Sequence, residues 1–458
     1  MGTSEQCAFR GAKTLKTLRE YLNSSWFYVV QLCVASWFVW TNRIVPGTVA
    51  FGALLMLILV VCDDIRATTL PFLILCTITT NLYNSYNIYI GFAKYAPIAL
   101  AAIVYHYVVY RKRFVTGDSL KGIFAVSIAI SFGGMGRFSF GEYMHGAYYF
   151  FGLGFGMMIA YVLLRSQFDS DDEKSREKFA FMMTVMATLC GSIVLHGYYM
   201  KYMELRIEHL YPQGFSRNNL STILLFAMPF PLYLARKREI MAVCSVLILG
   251  ILALTTSRGG LLFGCAEFVV CAAFWIFSAS TQKAKKIRLI ACLVACAIAI
   301  VVALPFVIDV ILPRFSGDVK DETRFKMIIE GLHKFVKRPI SGYGLLDHDI
   351  LYEVERKKGA MTWYHMMPMQ ILGGMGLIGV ACYGYQIVGR AKLVLQKPCP
   401  WSFVLGISYL GVLMMSWVNP GEFCPLPFEL FTVLLFVLQE VRLQTARPLY
   451  NDRLRQGV

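Results

Sequence analysis

Four short constellations combine residue types suited to a charged, oxygen-rich substrate. Thr256-Ser257-Arg258-Gly259-Gly260 lies between two strongly apolar runs. An arginine so close to hydrocarbon is costly unless it is paired or handles an anion. Flanking glycines leave backbone N–H groups accessible, as a phosphate site requires; the same turn also reads as a snorkelling arginine at a tight helix–helix connection. Gln213-Gly214-Phe215-Ser216-Arg217-Asn218-Asn219 precedes another apolar run. It brings a guanidinium and two amides to a helix N-terminus, a place for an anion or sugar hydroxyls, with Asn218 or Asn219 serving equally as a cap. Arg314-Phe315-Ser316 and Asp321 to Arg324 flank an apparent turn that would bring Arg314 and Arg324 near one phosphate. Trp363-Tyr364-His365 opens a glycine-rich run. A neutral imidazole there would take a proton from a sugar hydroxyl, and a helix N-terminus disfavours its charged form. The alternative is an interfacial histidine beside aromatic anchors. Glu142 and His145 are weaker candidates for assisting an acceptor site, and Gly342-Tyr343-Gly344 reads as a turn. Gly373, Gly374, Gly376 and Gly379 read as close helix packing.

The elements that position these groups follow from composition. The 458 residues are 57% apolar and 16% charged, with mean hydropathy +0.57. Soluble domains carry about 25% charged residues, so a soluble catalytic domain, a disordered chain and a disulfide scaffold are excluded. Hydropathy gives twelve to fourteen apolar runs, near 26–41, 45–62, 69–85, 91–110, 120–135, 145–164, 179–199, 219–235, 239–256, 259–279, 289–312, 365–389, 401–418 and 426–441. Spanning backbone must satisfy its own polar groups, so the runs are expected to be helices. The expected fold is an all-α, polytopic transmembrane bundle. Most of the 13 cysteines lie inside these runs and act as small hydrophobes. The basic start (Arg10, Lys13, Lys16, Arg19) precedes a run without a small-residue cleavage site, as a retained first span would show.

Net charge is +16, from 44 Lys and Arg against 28 Asp and Glu. The cations recur at Arg111 to Arg113, Arg236 to Arg238, Lys283 to Arg288, Arg390 to Lys397 and Arg442 to Arg455. Two spans separate successive clusters through the middle of the chain, which places them on one side. By the positive-inside rule that side is cytoplasmic and both termini join it. The charge thus sets topology and gives no reason to expect nucleic acid. The expected layout is an inner segment 1–25, helices over 26–200 and 201–312, an outer loop 313–363, helices over 364–441 and an inner tail 442–458.

Long loops in compact folds are usually functional, and Pro313 to Trp363 holds ten cations and eight anions. Within it Phe325, Ile328, Ile329, Leu332, Phe335 and Val336 recur at helical spacing. Asp321 or Thr323 is placed to cap this helix and Arg338-Pro339 to end it. Arg324, Lys334 and Lys337 lie on the other face. The helix is expected either to lie in the membrane interface or to lid the bundle.

Taken in order, these elements resemble the O-antigen ligase and polymerase family of membrane glycosyltransferases. The matching pieces are Gly214 to Asn219, Ser257 to Gly260, the large loop with Arg314, Arg324 and Pro339 to Gly344, then His365 and Gly376 to Gly379. They cover roughly residues 205–390. Met366 follows the histidine where the family often has Asn or Ser, and Asn218-Asn219 stands in place of Asn-Pro-Asn. The resemblance implies transfer of a glycan from a polyprenyl-diphosphate carrier, undecaprenyl diphosphate, to an acceptor hydroxyl such as one on lipid A core. Transfer would occur at the outer face of a bacterial cytoplasmic (inner) membrane, in lipopolysaccharide or other surface-polysaccharide synthesis. It implies His365 as catalytic base, with Arg258, Arg314, Arg324, Arg217 and Asn219 binding the diphosphate or glycan. The expected reaction inverts the anomeric centre and uses neither metal nor cofactor. The rival within the family is a polymerase that extends one lipid-linked glycan with another. A polyisoprenoid-glycan flippase or other transporter explains the hydropathy equally, but paired repeats and mid-membrane charges are not evident in the sequence.

Overall fold

The computed structural model describes residues 15–80, 93–134, 148–168, 171–203, 216–278, 282–291, 293–294, 297–298, 322–345, 364, 366–419 and 426–455. Among these the regular elements are helical. The chain divides into two compact units, one formed by residues 1–113 and 177–215, the other by 114–176 and 216–458.

The first unit contains α1 (Ser25–Trp40), α2 (Ile44–Val61), α3 (Thr69–Thr80) and α4 (Ala96–Val109). A short helix, Leu15–Leu22, meets α1 at a 70° bend, where Ser24 caps α1 by accepting from Phe27 N. The last carbonyls of α2 would be orphaned by helix geometry. They are met instead by side chains: His106 Nδ1 lies 3.0 Å from Leu59 O, Tyr110 Oη donates to Val60 O, and Arg19 Nε donates to Val61 O at 2.7 Å.

The second unit contains α5 (Ser119–Gly134) and α6 (Phe155–Arg165), the latter preceded by a π-helical stretch, Tyr148–Gly154. α7 (Glu173–Met203) begins in this unit. Then follow α8 (Arg217–Ala227), α9 (Pro229–Ala235), α10 (Met241–Leu254), α11 (Arg258–Phe277), α12 (Glu322–Lys337), α13 (Met367–Leu395), α14 (Pro400–Met415) and α15 (Leu426–Arg455). Among the described residues five helical stretches are long and apolar enough to cross a membrane, or six with the bent pair, and six apolar helices are shorter. This is an all-α polytopic bundle. Fewer full-length spans emerge than the twelve to fourteen apolar runs for identifiable reasons. Pro229 and Pro231 divide the 219–235 run into α8 and α9, although Arg217–Ala235 as a whole remains one of the five spanning stretches. Runs such as 401–418 yield only the 16 residues of α14, about 24 Å of helix. The 289–312 run lies largely outside the described residues.

α5 and α13 pack antiparallel. Gly122 lies against Gln386 near one end, and Gly133 lies against Met375 and Leu345 near the other. α13 is broken at Gly376, whose φ of 59° and ψ of −150° are closed to side-chain-bearing residues. A break in a helix at membrane depth exposes backbone groups that hydrocarbon cannot satisfy. The segment after α12 supplies the partners. Tyr343 N and Gly344 N donate to Gly373 O and Gly374 O, each at 2.9 Å. Leu377 N and Ile378 N donate to Pro339 O (2.8 Å) and Ile340 O (3.1 Å). Gly342, at φ 67°, lets this turn approach so closely that a Cβ would sit 2.4 Å from the Gly374 carbonyl carbon. The glycine run expected to serve helix packing is therefore a socket for the Pro339 to Gly344 turn.

At the other end of this pair, the Glu440 carboxylate accepts from Ser119 N (2.5 Å) and Tyr161 Oη (2.6 Å), with Arg165 Nε 3.8 Å away. This buried cluster joins α5, α6 and α15. Replacing Gly376 with alanine forces a side-chain-bearing residue into a glycine-only backbone region and sets a Cβ 2.6 Å from Gly342 N. Gly376→Ala is expected to destabilise the protein by about 3 kcal/mol or more, read as a lowered unfolding temperature in detergent. Gly384→Ala, in the same helix with open space around it, is expected to leave stability unchanged or slightly raised.

Candidate functional site

Two helices of the second unit begin with an arginine. Ser216 precedes Arg217 at the start of α8, and Ser257 precedes Arg258 at the start of α11. Helix N-termini carry partial positive charge, so each guanidinium adds to a field already suited to an anion. The sequence separates these motifs by about forty residues, and the fold brings them together. Arg217 Nη1 donates to Thr256 Oγ1 at 3.1 Å, and Ser257 Oγ donates to Asn218 Oδ1 at 3.0 Å. Ser221 Oγ lies 2.9 Å from Thr255 Oγ1, and Gly260 N donates to Ser257 Oγ at 3.3 Å.

The turn between α10 and α11 is tight. Thr256 adopts φ 58°, rare for a β-branched residue. Gly260 makes the approach of α11 to α8 feasible, since a Cβ there would meet Ser221 Cβ at 2.6 Å. Thr255, Thr256 and Ser257 are buried, whereas Arg258 is exposed. The snorkelling and anion-binding readings of Arg258 share this geometry: its backbone is locked by the cap while its side chain reaches outward.

The end of α14 connects this pair to the beginning of α13. Asn419 Nδ2 donates to Asn219 Oδ1 at 3.5 Å. A Cβ on Gly259 would stand 2.8 Å from Val418 Cγ2, so α11 packs against the same segment. Met367 N donates to Ser416 O at 2.9 Å. Residues 415–419 are thus a hub touched by the starts of α8, α11 and α13. Asn419 is buried, and its part in the site was missed by sequence reasoning. The available signal was a polar Asn419-Pro420-Gly421 closing an apolar run.

α12 spans Glu322–Lys337 and ends before Arg338-Pro339, as the spacing predicts; it begins at Glu322, so Thr323 is not its cap. Its orientation is the informative part. Phe325, Ile329, Leu332 and Val336 are exposed, while Met327, Glu330 and Lys334 are buried. An apolar stripe facing outward fits the interface reading and not a helix that covers the bundle with its apolar side. Inside, Lys334 Nζ and the Glu330 carboxylate pair at 2.8 Å. Tyr364 Oη donates to Glu330 Oε1 at 3.0 Å, and Tyr364 N donates to Gln370 Oε1 at 2.8 Å. The loop helix is thereby tied to the residue that precedes His365. Glu330 does not stand out in the sequence because Tyr364, the partner that ties it to the start of α13, is 34 residues away. His333 is exposed, as expected of a solvated position.

Of the expected site residues, Arg217, Asn219 and Arg258 are brought together. Arg324 lies in α12, with its side chain outside the described residues, and Arg314, His365, Glu142 and His145 lie outside them altogether. The expectation of metal-free chemistry rests on the outer loops carrying no Asp-x-Asp pair, and Asp347-His348-Asp349 in the large loop is such a pair, which removes that ground; it too lies outside the described residues.

Removal of the Ser257 hydroxyl takes away both the α11 cap and the Asn218 contact. Ser257→Ala is expected to cost about 1–2 kcal/mol, measured by thermal unfolding; an unchanged midpoint would remove this turn from the framework of the site. In comparisons with known proteins, residues 243–384 match the family model described as O-antigen ligase. The match covers about a third of the chain, from α10 into α13. It includes Arg258, Arg314, Arg324 and His365 and excludes Arg217 and Asn219. No curated protein matches the chain.

Proposed function

With an O-antigen ligase family segment over residues 243–384 as the premise, we propose that this membrane protein is a ligase-type glycosyltransferase. It would transfer a glycan from an undecaprenyl-diphosphate carrier to an acceptor hydroxyl, such as one on lipid A core, at the outer face of a bacterial inner membrane. The observation that carries the reading is the convergence of Arg217 and Arg258, both at helix N-termini, on the residue 415–419 hub to which the start of α13 is tied.

Such a transfer breaks the bond between the anomeric carbon and a diphosphate oxygen. Negative charge develops on the diphosphate and is stabilised by pre-placed cations and N–H dipoles. Arg258, Arg217 and, from the large loop, Arg314 and Arg324 fill this role in the proposal, with Asn219 contacting glycan or phosphate. His365 accepts the proton of the acceptor hydroxyl as its oxygen attacks the opposite face of the anomeric carbon, which inverts configuration. The amide hub and the buried Tyr364 anchor order the segments on which these groups sit, so that little reorganisation is needed at reaction.

Arg258→Ala is expected to lower turnover by about 10²–10³-fold, the loss typical of one charge-stabilising group, in a purified transfer assay with a lipid-diphosphate donor. His365→Ala should abolish transfer while donor binding persists; undiminished product would sink the base assignment. Transfer is expected to survive chelation of divalent cations. Loss that is restored by added metal would instead give the diphosphate to the Asp347 and Asp349 pair. Deletion in cells separates the rival reactions: long glycans stranded on the carrier indicate a ligase, single repeat units a polymerase, and donor trapped on the inner leaflet a flippase.

A further inference from the structure

The second unit has a polar cleft far from the arginine pair, at the other end of α13. It encloses about 240 Å³ between the start of α5 and the C-terminal half of α13. Its cationic lining is Lys121, Arg390 and Lys392, against the single acid Asp118. Arg390 is buried, its Nη1 donating to Tyr409 Oη at 3.2 Å, and Gln386 beside it is also buried. Lys121 and Lys392 are exposed at the mouth; Lys121 lies 3.7 Å from Asp118, a highly exposed pair that solvent weakens.

Ser119 supplies the second observation. It lines the cleft at 7% exposure, and its Oγ has no hydrogen-bond partner. A buried hydroxyl left unsatisfied costs about 1–3 kcal/mol, so a group that accepts its proton is called for. The backbone N–H groups of this first turn are already used. Ser119 N is bonded to Glu440, Leu120 N to Gly117 O and Lys121 N to Asp118 O. The ligand groups are therefore side chains, a hydroxyl donor and two ammonium groups; the Arg390 guanidinium, held against the Tyr409 and Phe436 rings, adds its charge from behind, and Glu440 behind Ser119 is already matched by Tyr161 and Arg165.

The cleft is also partly apolar. Tyr385 and Val388 line it and are exposed, and Phe124 and Leu395 continue an exposed apolar surface along α5 and α13. A soluble phosphate would use only the polar part. A lipid uses both, with its phosphate at Ser119, Lys121 and Lys392 and an acyl chain along Tyr385 and Val388. We propose that this cleft binds the phosphate headgroup of an anionic membrane phospholipid. By the positive-inside assignment it opens to the inner leaflet, across the membrane from the transfer site.

The full-length protein in nanodiscs of equimolar phosphatidylglycerol and phosphatidylcholine tests this by native mass spectrometry of retained lipid. Wild type is expected to retain phosphatidylglycerol selectively. Lys121→Gln with Lys392→Gln should weaken that retention by about thirtyfold, at about 1 kcal/mol per cation. Arg238→Gln, a basic-loop change outside the cleft, should not. Ser119→Ala removes a hydroxyl with no protein partner, so it should weaken retention by about tenfold with no loss of thermal stability. Unchanged retention in both Ser119→Ala and the double lysine variant would overturn the proposal. Displacement of the lipid by inorganic phosphate at comparable concentration would overturn the lipid assignment in favour of a soluble phosphate.

Discussion

The interrupted helix α13 is the constraint around which the second unit is organised. At Gly376 the helix gives up its internal bonding about nine residues, or roughly 14 Å, from its start. Each unmatched backbone group in hydrocarbon costs several kcal/mol, so four groups must be satisfied together. They are, by four bonds from the Pro339 to Gly344 turn. This fixes the depth and direction of α12, because only Arg338 separates its last residue, Lys337, from that turn. Gly331 is brought against Gly373, a contact so close that a Cβ on Gly373 would lie 3.2 Å from Gly331 Cα. α12 and the turn that follows it are consequently a fixed part of the bundle.

From that anchoring follows the unusual orientation of α12. A helix free in water would turn Phe325, Ile329, Leu332 and Val336 inward and Lys334 outward. Here the socket dictates the rotation, and Glu330 and Lys334 are carried inside. Burial of an ion pair is costly unless its remaining atoms are satisfied; Tyr364 Oη meets Glu330, and the Lys334 ammonium lies over the Tyr343 ring at 5.9 Å. The outward apolar stripe is tolerable where the surroundings are lipid. One backbone break thus accounts for a buried polar latch, an exposed apolar face and the tethering of the α13 entrance.

Periodicity carries far in such a chain. The apolar runs mark the helices, and the spacing from Phe325 to Val336 marks α12 with its stop at Lys337. Arg217 and Arg258 are legible as site candidates because a charge beside hydrocarbon is conspicuous. The pairing of elements is not legible in this way. Glycine at 373, 374 and 376 announces close approach or unusual backbone, yet nothing local distinguishes a neighbouring helix from an inserted turn. Glu330 looks like one more solvated charge until the fold places Tyr364, 34 residues away in sequence, against it. Asn419 is hidden for the same reason, since its partner Asn219 is 200 residues distant. The charge total divides by position into short basic clusters, which set the expectation of one basic side, and a few cations left as candidates for chemistry.

The turn before Arg258 shows why the site uses a strained residue where glycine would be easier. At φ 58° glycine would remove the penalty that Thr256 bears, of order 1 kcal/mol or more. It would also remove the Oγ1 that accepts from Arg217. Without that acceptor, the Arg217 guanidinium would lose the contact that directs it toward the start of α11. Thr255 and Ser257 on either side are likewise committed, one to Ser221 and the other to Asn218 and the α11 cap. Three successive hydroxyls thus hold two positive helix ends side by side, and the strain at Thr256 is offset by the hydrogen bonds its neighbours make. Bulk hydrophobic packing would bring the helices together equally well; it would leave Arg217 without a defined direction.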